Sequence, residues 1–401
     1  MVFGGVKKLN STIENALKVI DADLYIVLTG CIPEIVGDVA AGLSEEEKQG
    51  GNVNDFMTLM DGHMDEIVVH KRITERLETA TANLDVAGYN YMTARYESDG
   101  KTYPDRVIVG SETFPPEIAR NWKLVKRLPH VIGDFTWTGW DYIGEAGVGI
   151  PGYAFGEGSF GAQFPAQLAY CGDVDITGFR RPLSYFREIV FGLRSEPYIA
   201  VQAPSHYGEK LFKTPWVMSD AIHSWSYPGF EGKPVVVEVY APGEEVELLI
   251  NGRSLGRQPS GENAEYRALF DTVYEPGTLT AVVYENGEEL SRQEIWTAGA
   301  AAKLSLKKEE SFGEALTFYT VELLDQDGSL VTFDDQVLTL ETDAPERVLF
   351  GSGDPKTAYN YNERKTKTWN GRAQVIVKGQ GGKEAAFTIK SEEGLSAAEH
   401  A

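Results

Sequence analysis

Cysteine is nearly absent from this chain: of 401 residues only Cys31 and Cys171 carry a thiol. That excludes a disulfide framework and a cysteine-rich metal site. The six histidines are scattered, with no HExxH and no paired spacing, so neither a structural metal nor a cofactor is expected. Basic charge is also short, with 37 Lys and Arg against 60 Asp and Glu, a formal net charge of -23. Such a surface repels phosphate backbones and anionic lipid, which argues against nucleic acid or a membrane as partner. No apolar run approaches the roughly eighteen residues a membrane span needs. The first residues, MVFGGVKKLNSTIENALKV, lack a basic segment followed by an unbroken apolar core, so the chain as given is expected in the cytoplasm.

What is present suits two to four domains in three regimes. Up to about residue 200, helical and strand patterns alternate. Thr12 to Ile20 and Val53 to Leu77 suit helices, and Leu24 to Leu28, "LDVAGYNY", "RVIVGSE" and "HVIGDFTW" suit strands. This is α/β material. From about Val235 the pattern turns to alternating strands with hairpin signals at Asn251-Gly252 and Asn286-Gly287. A second all-β block follows the spacer "TAGAAAKL" and turns at Asp327-Gly328. Each β block is about the size of an immunoglobulin-like sandwich.

Three successive α/β strands end in residues able to do chemistry. "RVIVGSETFPPEIARNW" stops an apolar run at Gly-Ser-Glu and then opens a helix at Pro115-Pro116, which leaves Glu112 at a strand's C-terminal end. "LDVAGYNYM" ends in Tyr89, Asn90 and Tyr91. "DFTWTGWDYIGE" carries Trp137, Trp140, Asp141 and Glu145. Aromatic faces stack on the C–H faces of a pyranose while amides and carboxylates bind its hydroxyls, so the mixture fits a sugar site. Each residue also has a plain alternative: a solvated loop carboxylate for Glu112, and core or interface aromatics for the tryptophans.

The segments "DVAGYNYMTARY", "YPDRVIVGSETFPPEIARNWKLVK", "PHVIGDFTWTGWDYIGEAGVG" and "EVYAPGEEVELLINGRSLG" closely resemble the β-galactosidase-like branch of glycoside hydrolase family 2, from about residue 40 to about 396. The resemblance implies a multidomain chain. Residues 40–200 would be the second half of a (β/α)8 TIM barrel, 201–298 a linker and first β-sandwich, and 299–396 a second, both immunoglobulin-like. It makes Glu112 the nucleophile of a retaining mechanism and Tyr91 the phenol that orients it. Trp137 falls on the sugar platform, and Tyr89, Asn90, Trp140 and Asp141 are further candidate contacts to a carbohydrate substrate, a β-galactoside or related β-glycoside. Retention needs two carboxyl groups about 5 Å apart. The family's acid/base is the glutamate of an Asn-Glu pair ending an earlier barrel strand. The one Asn-Glu pair here, Asn362-Glu363, lies in the last β block. A full barrel takes about 250 residues, so the expectation is a β-glycosidase lacking its acid/base, the alternative being a non-catalytic carbohydrate-binding chain.

Residues 1–39 instead resemble a fragment of a nitrogenase component 1 type oxidoreductase subunit, in which Cys31 would fall on a cluster ligand. A cluster needs several thiolates and Cys171 belongs to the hydrolase-like part, so no cluster is expected. The two resemblances meet near Val39 to Ser44, as in a fusion of unrelated fragments. Thr12 to Leu28 has the period and size to pack beside the half barrel as a surrogate βα unit.

Overall fold

A computed structural model of the chain describes residues 26–28, 77–78, 81–82, 84–154, 156–158, 162–211, 214–309, 315–379 and 385–400. The helices expected over Thr12 to Ile20 and over Val53 to Leu77, Leu77 itself excepted, lie outside the described residues, as does Cys31. The chain divides into two compact units: Met1–Thr138 with Lys213–Met218, and Gly139–Phe212 with Ser219–Ala401.

The first unit holds a parallel four-stranded sheet in the order β1 (Ile26–Leu28), β2 (Val86–Asn90), β3 (Val107–Thr113), β4 (Val131–Thr136). Helix α1 (Tyr96–Thr102) joins β2 to β3, and α2 (Ile118–Arg127) joins β3 to β4. Parallel neighbours need such crossovers, because a tight turn cannot reverse the chain twice. The three strands read from apolar runs form where expected, and part of Leu24 to Leu28 forms β1, in register with Val86 to Gly88. Pro115-Pro116 starts a single 3-10 turn, Pro115–Glu117, from which α2 continues. Proline fits there because the first N–H groups of a helix have no intrahelical acceptor. Lys126 and Arg127 close α2 against its negative end.

The second unit is dominated by two β-sandwiches. In the first, the sheet β11 (Arg267–Val273), β8 (Pro234–Tyr240), β7 (Tyr198–Val201) faces the sheet β10 (Arg253–Pro259), β9 (Glu245–Ile250), β12 (Thr278–Glu285), β13 (Glu288–Trp296). Strand periodicity of two sends Val235, Val237 and Val239 of β8 inward to meet Val246, Leu248 and Ile250 of β9 and Leu279, Ala281 and Val283 of β12, all buried. Asn251-Gly252 and Asn286-Gly287 make the hairpin turns, with φ of 51° and 78° in the first and 53° and 81° in the second. Both positions of each turn lie in the left-handed region, where asparagine and glycine cost least. The second sandwich pairs the sheet β14 (Lys303–Lys308), β15 (Leu316–Leu324), β19 (Arg372–Lys378), β17 (Val348–Gly351) with the sheet β18 (Lys365–Lys367), β16 (Val337–Thr342), β20 (Ala386–Ser391), β21 (Ser396–His400) around Val321, Leu323, Leu340, Phe350, Val375 and Ile389.

The expected boundary near residue 200 falls at the end of β7, which is already a strand of the first sandwich. The segment from Gly139 onward also belongs to this unit and includes the hairpin-like pair β5 (Tyr142–Ile143) and β6 (Leu168–Ala169) and helix α3 (Pro182–Val190). Among the described residues no helix is long and apolar enough to cross a membrane. Leu248 is fully buried in the first core, and Leu248→Ala is expected to cost about 3 to 5 kcal/mol. Urea unfolding of the full chain checks this, since an unchanged midpoint for that sandwich would remove Leu248 from the core.

Candidate active site

The parallel sheet of the first unit brings Asn90, Tyr91, Glu112 and Trp137 to one end. Asn90 is the last residue of β2, Glu112 the penultimate residue of β3, and Trp137 follows β4. The backbone ties them together: Tyr91 N donates to Glu112 O at 2.8 Å, and Trp137 N donates to Thr113 O at 3.0 Å.

A β-bulge sets which way Glu112 faces. Tyr89 pairs with Gly110, yet the next pair is Asn90 with Glu112, leaving Ser111 as the extra residue. Paired residues share a face of the pleat, and successive residues alternate. Without the bulge Glu112 would lie on the face of Gly110, which is the helix face: a Cβ on Gly110 would sit 2.5 Å from the Tyr96 Oη of α1. With it, Glu112 joins Asn90 on the opposite face. Thr113, next in sequence, is fixed by donating from Oγ1 to Asp134 Oδ2 at 2.6 Å.

Tyr91 stands in the left-handed region at φ 52°, an uncommon place for a non-glycine residue. Its ring stacks on Phe114 with centroids 4.1 Å apart and meets Trp216 edge-on at 5.9 Å, and Trp216 meets Phe114 at 5.4 Å. All three rings are buried. Trp216 Nε1 donates to Tyr91 Oη at 3.0 Å.

Tyr89 faces the helix layer and is fully buried. Its Oη donates to Asp99 Oδ2 at 2.6 Å and accepts from Arg106 Nη1 at 3.0 Å. Arg95 completes the cluster with a two-pronged contact to Asp99, both distances 2.9 Å. Burial, reinforced by the neighbouring Asp99 carboxylate, pushes the Tyr89 phenol well above its ordinary range. This network is a structural floor under the sheet end, with each buried charge paired.

Trp140 and Asp141 belong to the second unit. Trp140 is half exposed, and its indole edge lies beside Gly178. Asp141 is 1% exposed. Its Oδ1 accepts from Gly172 N at 2.7 Å and from Arg181 Nη1 at 3.4 Å. Arg181 in turn lies over the Tyr170 ring at 3.6 Å. Glu145 is exposed and takes the Tyr142 hydroxyl. Among the described residues no group of three or more His, Cys, Asp or Glu side chains is placed to hold a metal ion.

Trp216 and Phe114 are the residues of this constellation that pattern reading passes over. Phe114 carried a usable signal, standing two residues after Glu112. Trp216 carried little, since 125 residues separate it from Tyr91.

Comparison with known proteins adds the class. Residues 305–400, the span of the second sandwich, match the family described as glycoside hydrolase family 2 C-terminal domain 5. Residues 232–291 match a domain described as of unknown function, DUF4982. More particularly, the chain is similar to a β-galactosidase of Bacteroides ovatus, 27% identical over 279 residues that cover 68% of this chain and 28% of that protein. It is 31% identical over 222 residues to a protein of Formosa agariphila named as a β-glucuronidase, covering 53% of this chain and 18% of that one. A solved glycosyl hydrolase family 2 member from Bacteroides cellulosilyticus superposes on 87% of this chain with a TM-score of 0.72 at 30% identity. The chain covers 47% of that structure, and so spans less than half of each of these three relatives.

Desolvation, only partly offset by Arg181, raises the Asp141 pKa to about 7. The unfolded carboxyl ionises near 4, so between about pH 4 and pH 7 the folded state binds the extra proton and stability falls as pH rises. Asp141→Asn should flatten that slope, by an amount on the order of a few kcal/mol between the two ends. Urea unfolding of both proteins across pH 4 to 8 checks it, and parallel curves would refute the assignment.

Proposed function

We propose that the parallel sheet is the second half of a glycosidase barrel, that the two sandwiches are immunoglobulin-like accessory domains, and that Glu112 is the nucleophile of a retaining β-glycosidase. The observation that carries this reading is the bulge that turns Glu112 to the face of Asn90 at the sheet end where Tyr91 and Trp137 also stand. Strand ends hold such groups rigidly, and the positive φ at Tyr91 is the kind of local strain that persists where the surroundings over-determine it. The names of the relatives, a β-galactosidase and a β-glucuronidase, support a β-glycoside substrate.

In this reading the Glu112 carboxylate attacks the anomeric carbon, the glycosidic bond breaks with its electron pair on the leaving oxygen, and water later hydrolyses the glycosyl ester. Tyr91 orients the carboxylate by donating its hydroxyl hydrogen, and Trp137 and Asn90 contact the sugar. Incubation of the full chain with the dinitrophenyl 2-deoxy-2-fluoro-β-galactoside should place one covalent label on Glu112 and none on Glu112→Gln. Peptide mapping reads the outcome, and label on another residue would refute the assignment.

A second reading, a carbohydrate-binding chain with little hydrolysis, is favoured by the position of Asn362-Glu363. The pair is exposed in the turn before β18, where Asn362 N donates to Asn360 Oδ1. It belongs to the second sandwich and so is a surface turn. Without a proton donor, natural leaving groups depart slowly while dinitrophenolate departs unaided. The full chain is expected to release dinitrophenol from its β-galactoside at least about a hundredfold faster, relative to lactose, than a glycosidase with an intact general acid. Brisk lactose hydrolysis would show that the chain supplies an acid of its own.

A further inference from the structure

Trp216 belongs to Lys213–Met218, the short segment that clusters with the first unit although the chain on both sides of it clusters with the second. A tryptophan is 5% exposed there for an identifiable reason. Its indole ring closes the edge of the Tyr91–Phe114 stack, and its one donor, Nε1–H, is spent on the Tyr91 Oη at 3.0 Å. Indole is a donor only, whereas a phenol both donates and accepts. Between these two groups the direction is therefore fixed: the phenol oxygen accepts from Trp216, and the Tyr91 hydroxyl hydrogen must point elsewhere.

We propose that Trp216 is a positioning residue for Glu112, acting through Tyr91. This rests on the reading of Glu112 as nucleophile and Tyr91 as its orienting phenol. Two effects follow from the geometry. The first is rotational: a hydroxyl whose lone pair is occupied by a fixed donor has fewer directions left for its hydrogen, so it is aimed before substrate arrives. The second is electronic: accepting a hydrogen bond polarises the O–H and makes it a stronger donor to a carboxylate. Both favour the ionised carboxylate of Glu112 over the protonated acid. The stacking partner contributes as well. Phe114 lies two residues after Glu112 on the same backbone, so the ring that fixes Tyr91 moves with the strand that carries the nucleophile.

Trp216→Phe keeps an aromatic ring and deletes the donor. In the full chain labelled with 13Cζ-tyrosine, the Tyr91 resonance, assigned by its disappearance in Tyr91→Phe, should shift in Trp216→Phe. The rate of covalent labelling by the fluoro-galactoside at neutral pH should fall about tenfold, the worth of one neutral hydrogen bond. The acidic limb of that rate should move to higher pH while the saturating concentration stays the same. A pure packing role would slow labelling without moving the limb. An unshifted limb, or labelling as fast as in the parent, with Glu112 still labelled in the parent, overturns the proposal and leaves Glu112 as nucleophile intact. A parent that takes no label on Glu112 overturns both. Should Trp216→Phe not fold, the partner variant decides: in Tyr91→Phe one of the seven indole N–H resonances should move upfield as it loses its acceptor, and no movement overturns the proposal.

Discussion

Asn90 stands opposite Glu112 only because the β2–β3 ladder slips by one residue beyond the Tyr89–Gly110 pair. Side-chain period in a strand is two, so a one-residue slip exchanges faces for everything that follows. Below the slip, Tyr89 and Gly110 turn toward α1 and the Asp99 cluster. Above it, Asn90 and Glu112 turn to the other face. The same two strands thus present a closed, charge-paired floor on one side and the candidate carboxylate on the other. The Tyr91 N to Glu112 O hydrogen bond then holds the shifted register at its open end.

Much of this frame was legible in the sequence. β2, β3 and β4 each open on a valine within a short apolar run, and hairpins at Asn251-Gly252 and Asn286-Gly287 follow from the few residues that tolerate two successive positive φ values. Alternation in "EVELLI" and "RAQVIVK" likewise marks which residues of β9 and β19 face a core. The bulge was not legible. One extra residue in a ladder is a relation between two strands, and neither strand's composition records it. The edge of the first sandwich at β7 is illegible for a related reason: "YIAV" is too short to show a period.

Tyr89 and Asp141 show a different limit. A sugar platform and a buried polar network draw on the same residue types, namely aromatics with a polar tip, carboxylates and their partners. What separates them is whether the partners are supplied by the protein. Asp99 and Arg106 occupy the Tyr89 hydroxyl from α1 and from the turn before β3, and Gly172 with Arg181 occupies Asp141 Oδ1. Those partners lie 10, 17, 31 and 40 residues away. No motif reaches that far, and only the fold distinguishes a hydroxyl already spent from one left for a ligand.

The first sandwich is pinned just beyond β7. Ile222 exchanges both backbone hydrogen bonds with Val201, at 2.8 and 3.0 Å. Just inside that closure the buried Glu238 carboxylate takes Gln202 Nε2 from the outgoing strand and Ser219 Oγ from the returning one, while also accepting from Tyr240 and Arg267. Asp220 adds a further tie, accepting from Ala203 N and from the Tyr153 hydroxyl. Glu238 is fully buried, and a carboxylate withdrawn from water to that degree persists only where donors and a countercharge surround it, which Gln202, Ser219, Tyr240 and Arg267 do here.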